Sequence, residues 1–579
     1  MKKFAALVLC LVWQRYYGFS LVPQSSHHVQ PSQSLTPARQ SKLFSASVAK
    51  DSTTPSLVDG NDEADSTSKI RPLHQNWWPV ATTDSLQSDR PNPLQVLGKP
   101  LVTYFDSSTQ EWKIMDDYCS HRFAPLSEGR LLDNSIQCAY HGWTFDGQGT
   151  CTNVPQQPDR VDKAKSVQAY SVREDLGMLW VWMDPSSAES LGESIQLPID
   201  QFLRKCYDKM GSGMCFMRDL PYGMEILGEN LLDLSHLPFA HHSVGNLDRN
   251  TAKDLPTRML SSDERKKNLG WDSAFGDALS TVLPAAQAEI TQAAEHDPIF
   301  ASMYRSSRPE MMNFKDWTTH IGYFDPMHVR YQRKSIAYSA VELFMCPTSE
   351  GRSRVFLFNC FEGMVTEPKG FKDKLKQKVL KKVMNSSRGH MIAHQIFDGD
   401  GIFLHKQGNR MKMADLTFRD YSTPASSDVL LNSYRRFLDA AATQTRKAGL
   451  ESVADSVVGT NSYGDDAMRS HLLDRYNTHT VHCPICMTAL KQARKKQVML
   501  KSLQTGFQGA TGSGLVALAA LGVARKVASM TVPNALLGSM AAVSSLGMAG
   551  SFLCSKLQQR NQKTINSFIF EDYVHADKD

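Results

Sequence analysis

The sequence predicts an α+β protein with two metal-bearing domains and a C-terminal two-helix membrane anchor. Three observations carry this: paired Cys and His residues in loops after extended runs, a second His and Asp constellation about a hundred residues on, and two uncharged stretches near the C-terminus. A chain of 579 residues with 41% hydrophobic and 21% charged residues is too long for one compact domain and too balanced to be mainly disordered. Its 64 Lys and Arg against 59 Asp and Glu leave +5 without a basic block, so no nucleic-acid partner is expected. A mean hydropathy of -0.35 excludes a polytopic membrane protein but not a small anchor. The 11 cysteines are too sparse, and odd in number, for a disulfide scaffold.

Residues 1–50 lack Asp and Glu altogether, and Lys2 and Lys3 precede a short apolar run from Phe4 to Trp13, which is a signal-peptide pattern. The Ser-rich, acid-free stretch from Ser20 to Lys50 has the composition of a plastid transit peptide. The tandem resembles the bipartite presequence of algae with secondary plastids. Residues 51–70 read as a disordered linker.

The first constellation lies in residues 71–185, where extended runs NWWPVA, LGKPLVTYFD and GMLWVWMD flank Cys119, His121, Cys138 and His141. A zinc site is one reading of two Cys and two His. However, a C-x-H pair is shorter than the usual zinc spacing of about two to four residues between paired ligands. Two thiolates on one iron and two imidazoles on the other make a [2Fe-2S] cluster of raised potential. With the surrounding HRFAPLSEGR and YHGWTFDGQG, this segment resembles a Rieske domain. The resemblance implies that Cys119 and Cys138 hold the buried iron, and His121 and His141 the outer one. Cys151 reads as structural.

Residues 186–450 contain GENLLDLSHLPFAHHSVGN, with Asp233, His236 and His241. On a straight helix, residues five apart diverge by about 140°. Pro238 between the histidines lacks an N–H and lets the chain kink so that both rings converge. Two His and one carboxylate form the facial triad of a non-haem Fe(II) oxygenase. The carboxylate candidate is Asp400 in HQIFDGDGIFLHKQG, seven residues before Gln407 as in Rieske oxygenases, with Asp398 as competitor and His242 as a weaker alternative to His241. By resemblance, Asp233 orients His236 and bridges toward the cluster of a neighbouring subunit, which implies a homotrimer. The expected fold here is helix-grip: extended runs RYQRKSIAYSAVELFMC and RVFLFNCFEGM supply sheet, and Lys372–Met384 and Leu430–Ala448 supply helices over an apolar cavity.

From Trp77 to about Leu490 the chain resembles the plastid Rieske-type oxygenases that include pheophorbide a oxygenase, chlorophyllide a oxygenase and the translocon-associated Rieske protein. The carrying residues are WWPV, CSHRFAPLSEGR, CAYHGWTFDGQG, NLLDLSHLPFAHH, STPASSDVLLNSYRRFLDA and RYNTHTVHCPIC. The last of these places it nearest the pheophorbide a oxygenase branch. The resemblance implies a monooxygenase that takes electrons from ferredoxin, uses dioxygen and acts on a hydrophobic chlorophyll-derived tetrapyrrole. The alternative is a membrane-bound redox sensor or import-associated protein. The insert from Asp248 to Pro298 matches nothing in that group.

In residues 451–500, Cys483 and Cys486 form a lone C-x-x-C, read as a redox dithiol, an inert pair or a partial metal site; a four-ligand zinc site lacks a second pair nearby. Residues 501–556 hold the two uncharged stretches, each long enough to cross roughly 30 Å of hydrocarbon, and 557–579 form a tail. Lys and Arg on both flanks outnumber Arg525 and Lys526 between the stretches, so the bulk of the protein is expected on the positive, stromal side of a plastid membrane, envelope or thylakoid.

Overall fold

Aromatic and β-branched runs make the first sheet. β1 (Trp77–Thr82), β2 (Asn92–Val96), β3 (Lys99–Asp106), β4 (Glu111–Asp116), β9 (Ala169–Asp175) and β10 (Met178–Trp182) form an antiparallel sheet in the order β1-β10-β9-β4-β3-β2. The expected runs at NWWPVA, LGKPLVTYFD and GMLWVWMD all lie within it. Between β4 and β9 the chain folds a small second sheet, β5 (Arg130–Leu132), β6 (Ser135–Gln137), β7 (Thr144–Phe145) and β8 (Cys151–Asn153). Cys151 lies on β8 inside the apolar core of this lobe. This computed structural model describes residues 70–575 apart from internal stretches, of which 269–285 and 293–316 are the longest. The expected presequence, the linker up to residue 69 and about half of the Asp248–Pro298 insert lie outside the described residues.

A seven-stranded antiparallel sheet follows, in the order β11-β17-β16-β15-β14-β13-β12: β11 (Cys215–Leu220), β12 (Thr257–Met259), β13 (Ala286–Gln292), β14 (Trp317–Phe324), β15 (His328–Lys334), β16 (Tyr338–Ser349) and β17 (Arg352–Phe361). The run read as one extended segment, RYQRKSIAYSAVELFMC, spans two strands, because β15 turns back to pair antiparallel with β16. Helices α1 (Gln201–Met210), α2 (Met224–Leu232), α3 (Leu237–Ala240), α4 (Ser387–Met413) and α5 (Val429–Lys447) cover this sheet or lie at its edge. One apolar core continues from Trp78 and Trp180 of the first sheet to Phe344, Phe356 and Phe358 of the second. Backbone N–H groups of Leu97 and Gly98 donate to the carbonyls of Pro347 and Thr348, joining the β2–β3 turn to the end of β16.

Inside the larger unit, buried charges are paired with opposite charges. Arg435 of α5 pairs with Glu225 and Glu229 of α2. Arg330 lies between Asp200 and Glu342, and His328 shares Glu342. Removing one partner from such a set costs several kcal/mol because the other charge stays buried, so these pairs fix helix against helix and strand against strand.

The chain ends in two long helices, α6 (Pro484–Val527) and α7 (Asn534–Ser567), packed against each other. Both are long and apolar enough to cross a membrane. Each begins or ends well outside the uncharged stretch, so the helices project from the folded domain as continuous rods. Their few buried positions in the apolar part, such as Gly514, Ser544 and Gly547, are small, while Val516, Leu546 and Phe552 face outward. An outward apolar surface on a close-packed helix pair suits lipid, not water.

Candidate functional site

The first site sits on two matching turns at one end of the small sheet. After β4, the Phe123 N–H donates to the Cys119 carbonyl and the Cys119 N–H to Ala124. After β6, the Gly142 N–H donates to the Cys138 carbonyl and the Cys138 N–H to Trp143. Gly142 has a φ of +77, a backbone conformation that disfavours any side chain, and Pro155 leaves little room for one. Each turn buries its Cys, at 1% exposure, and lifts its His toward solvent. The His121 and His141 rings are 4.6 Å apart between centroids, and Trp143 stacks on His121. Burial pushes the Cys119 thiol up to about 11, the His121 backbone N–H opposing it and Cys138 alongside adding to it. Two buried thiols beneath two adjacent imidazoles are the donor set a Rieske cluster needs.

The second site assembles at the end of α2 and the middle of α4. Pro238 opens the one-turn helix α3, so His236 caps one end and His241 the other. This short turn, in place of a straight helix, brings the two rings to 5.3 Å. Asp400 Oδ1 lies 3.7 Å from His236 Nε2 and 3.3 Å from His241 Nε2. Neither nitrogen of the fully buried His241 has a hydrogen-bond partner. An orphaned buried imidazole facing a carboxylate and a second imidazole fits a bound cation. His236 Nδ1 faces Asp233 Oδ2 at 3.5 Å, and Asp233 Oδ1 accepts from the Ser235 N–H and hydroxyl. Burial works against ionisation of Asp400, but His241 and His236 hold its carboxyl below the usual range. Burial likewise opposes charge on His236, yet Asp400 and Asp233 raise its pKa overall.

Asp398, the competitor, is engaged elsewhere: Arg218 reaches its Oδ1 at 2.7 Å and Arg475 its Oδ2 at 2.6 Å, all three side chains buried. His242 turns away toward Asp248 and the Arg249 N–H. Gln407 donates to Tyr421 and Glu229, bracing α4 against α2, and does not enter the triad. Three contributors were not singled out in the sequence. Asn230 brings its amide within 3.3 Å of His236 Nε2 and, one turn before Asp233 on α2, carried a helical-spacing signal. Tyr573, beyond the anchor, donates its hydroxyl to the Ala240 carbonyl, and no local signal marks it. Gly399 lets α4 approach: a Cβ there would stand 2.8 Å from His241 Nδ1 and 3.2 Å from the Tyr573 ring. The helix runs unbroken through this glycine.

An apolar cavity of about 330 Å³ runs from His236 and Asp400 between α4 and the sheet, with Phe216, Leu343, Leu357 and Phe361 among its walls. Cys483 and Cys486 lie at the start of α6, unjoined, beside His390 and His479.

A cluster site with exposed imidazoles, a two-His one-Asp site and an apolar cavity on the latter define a Rieske-type non-haem iron oxygenase. The model of the "Rieske [2Fe-2S] domain" matches residues 76–171. Over 547 residues the chain is 27% identical to pheophorbide a oxygenase, chloroplastic, of Arabidopsis thaliana, covering 90% of this chain and 86% of that one. It is 26% identical to flavonoid 8-hydroxylase 2, chloroplastic, of Ocimum basilicum, over 75% of this chain and 77% of that one. Protein TIC 55, chloroplastic, of Pisum sativum is 26% identical, over 72% of this chain and 70% of its own. The chain is thus a homologue of the chloroplastic Rieske oxygenases, with a Rieske cluster and a mononuclear iron as its cofactors.

Proposed function

We propose that the chain is a plastid monooxygenase that takes electrons from ferredoxin, uses dioxygen and oxidises a chlorophyll-derived tetrapyrrole of the pheophorbide a or chlorophyllide a kind. The observation that carries this reading is the apolar cavity ending on His236 and Asp400. In this reading Cys119, Cys138, His121 and His141 hold the cluster, and His236, His241 and Asp400 hold the iron. When bound, the two centres supply electrons singly and a site for reductive activation of dioxygen.

The chain's own groups set the conditions. Phe216, Leu343, Leu357 and Phe361 exclude water from a flat apolar substrate, with His236 and Asp400 at the cavity's iron-facing end. Asp233 keeps His236 oriented through Nδ1. By the family resemblance, the partly exposed Asp233 also bridges toward the cluster of a neighbouring subunit in a homotrimer. The helix pair α6 and α7 anchors the enzyme in an envelope or thylakoid membrane with the catalytic unit on the stromal side, beside a pool of membrane-partitioned pigment. A sensor or import role would not need a triad at the end of an apolar cavity.

The test is oxygen uptake and product mass for the purified chain with reduced ferredoxin, offered pheophorbide a, chlorophyllide a and a flavonoid in turn. Oxidation of a tetrapyrrole, with one oxygen atom incorporated, is the expected result. Turnover of the flavonoid with every tetrapyrrole left unchanged would sink the substrate assignment.

A further inference from the structure

Four donor atoms from two distant segments meet away from both iron sites: His390 Nδ1 from α4, and His479 Nε2, Cys483 Sγ and Cys486 Sγ from one short stretch, all within 4.8 Å of one another. His390 Nδ1 lies 3.4 Å from Cys483 Sγ and 3.3 Å from Cys486 Sγ, and His479 Nε2 lies 3.3 Å from Cys486 Sγ. Around a tetrahedral zinc with bonds of about 2.3 Å to sulfur and about 2.0 Å to nitrogen, sulfur and nitrogen ligands stand roughly 3.5 Å apart. The second nitrogen of each ring is already committed. His479 Nδ1 lies 2.6 Å from the Met217 carbonyl, and His390 Nε2 lies 3.4 Å from the Gly213 carbonyl. A carbonyl only accepts, so each outer nitrogen carries the proton and each inner nitrogen presents its lone pair to the thiols. His390, His479 and Cys486 are buried, and Cys483 is half-buried at the rim.

We propose that His390, His479, Cys483 and Cys486 form a structural zinc site that ties the membrane-anchor helix to the catalytic unit. The local sequence hides it: the C-x-x-C has no second pair nearby because the histidine ligands come from α4 and from the turn just before α6. The site is closed, with four protein ligands, as befits a structural and not a catalytic zinc. His390 is on the same helix as Asp400, so the ion fixes α4 against β11, which supplies the Met217 carbonyl, and against the start of α6. The two thiolates are then metal ligands, not a freely cycling dithiol. This inference is independent of the substrate reading.

The experiment is metal analysis of the full-length, detergent-solubilised holoprotein from zinc-replete cells, alongside alkylation of its thiols under native conditions. About one zinc per chain beside the iron is expected, with Cys483 and Cys486 protected from alkylation until a strong chelator is added. The His390→Gln and Cys486→Ser variants should lose the zinc while keeping the electron paramagnetic resonance signal of the reduced cluster. Cobalt introduced in place of zinc should give a thiolate-to-metal charge-transfer band that both variants lack. A wild-type chain free of zinc, or one whose two thiols are recovered as a disulfide, overturns the proposal. That result is read on the wild-type protein and holds even if the variants fold poorly.

Discussion

Between Cys119 and His141 the chain makes two similar turns close together in sequence, after β4 and β6, whereas His236, His241 and Asp400 meet only because α4 is laid beside a kinked turn from far upstream. The cluster site is a surface device: buried thiols, imidazoles held out toward a partner. The iron site is an interior device, in which His241 has no contact with solvent and closeness to α4 depends on a missing Cβ at Gly399. Local sites tolerate change in the rest of the fold, and interior sites inherit every packing error around them. The two should therefore separate under mutation.

The widest separation is expected for Asp400→Asn. An amide oxygen is a poorer ligand for a hard cation, so mononuclear iron is lost and oxygenase turnover falls by more than about 100-fold. The cluster, read by electron paramagnetic resonance, stays. Loss of both centres together would mean that the two sites are one folding unit and the comparison is false. Next is Asp398→Ala, which leaves Arg218 and Arg475 buried without their shared carboxylate and costs about 3–5 kcal/mol of stability in denaturant titration. Iron should remain in whatever fraction stays folded. Iron lost from folded Asp398→Ala, yet kept in Asp400→Asn, would exchange their roles.

A pair of glycine substitutions sharpens the contrast further. Gly399→Ala forces a methyl group against His241 and Tyr573, an overpacking cost of about 1–3 kcal/mol, with weaker iron retention and an unchanged cluster. Gly142→Ala imposes a left-handed conformation on a residue with a Cβ at the cluster turn, costing about 1–2 kcal/mol and shifting the cluster signal while the iron site is untouched. Iron analysis and cluster spectra on both proteins would expose any cross-talk.

What was legible in the sequence follows the same division. The proposed cluster ligands lie in one short segment whose spacing argues against a common zinc pattern, so residue types and intervals were enough to nominate them. The proposed iron histidines were nominated in the same way, with Pro238 at the kink between them. Asp400 was harder: only its interval to Gln407 ranks it above Asp398, and the arginines that engage Asp398, brought from β11 and from the segment before α6, have no local signal. Tyr573 and the pairing of His390 with Cys486 are long-range facts with no periodicity to betray them.

The smallest effect, and the most specific, is expected at the exposed end of the cluster site. Phe123 is 76% exposed and Tyr140 64%, large rings held beside His121 and His141 with little of their surface covered by this chain. Tyr140 packs against His141, and Phe123 sits at a positive φ that turns it outward. Exposed aromatic residues around an electron-transfer edge have little to do for the fold, so Tyr140→Ala should change stability by no more than about 0.5 kcal/mol. Contact residues at a transient interface act on association, so the variant's KM for ferredoxin should rise several-fold while kcat at saturating ferredoxin stays near wild type. A fall in kcat with KM unchanged would instead place Tyr140 on the path from cluster to iron. The rings would then serve the neighbouring subunit's Asp233 surface and not the electron donor.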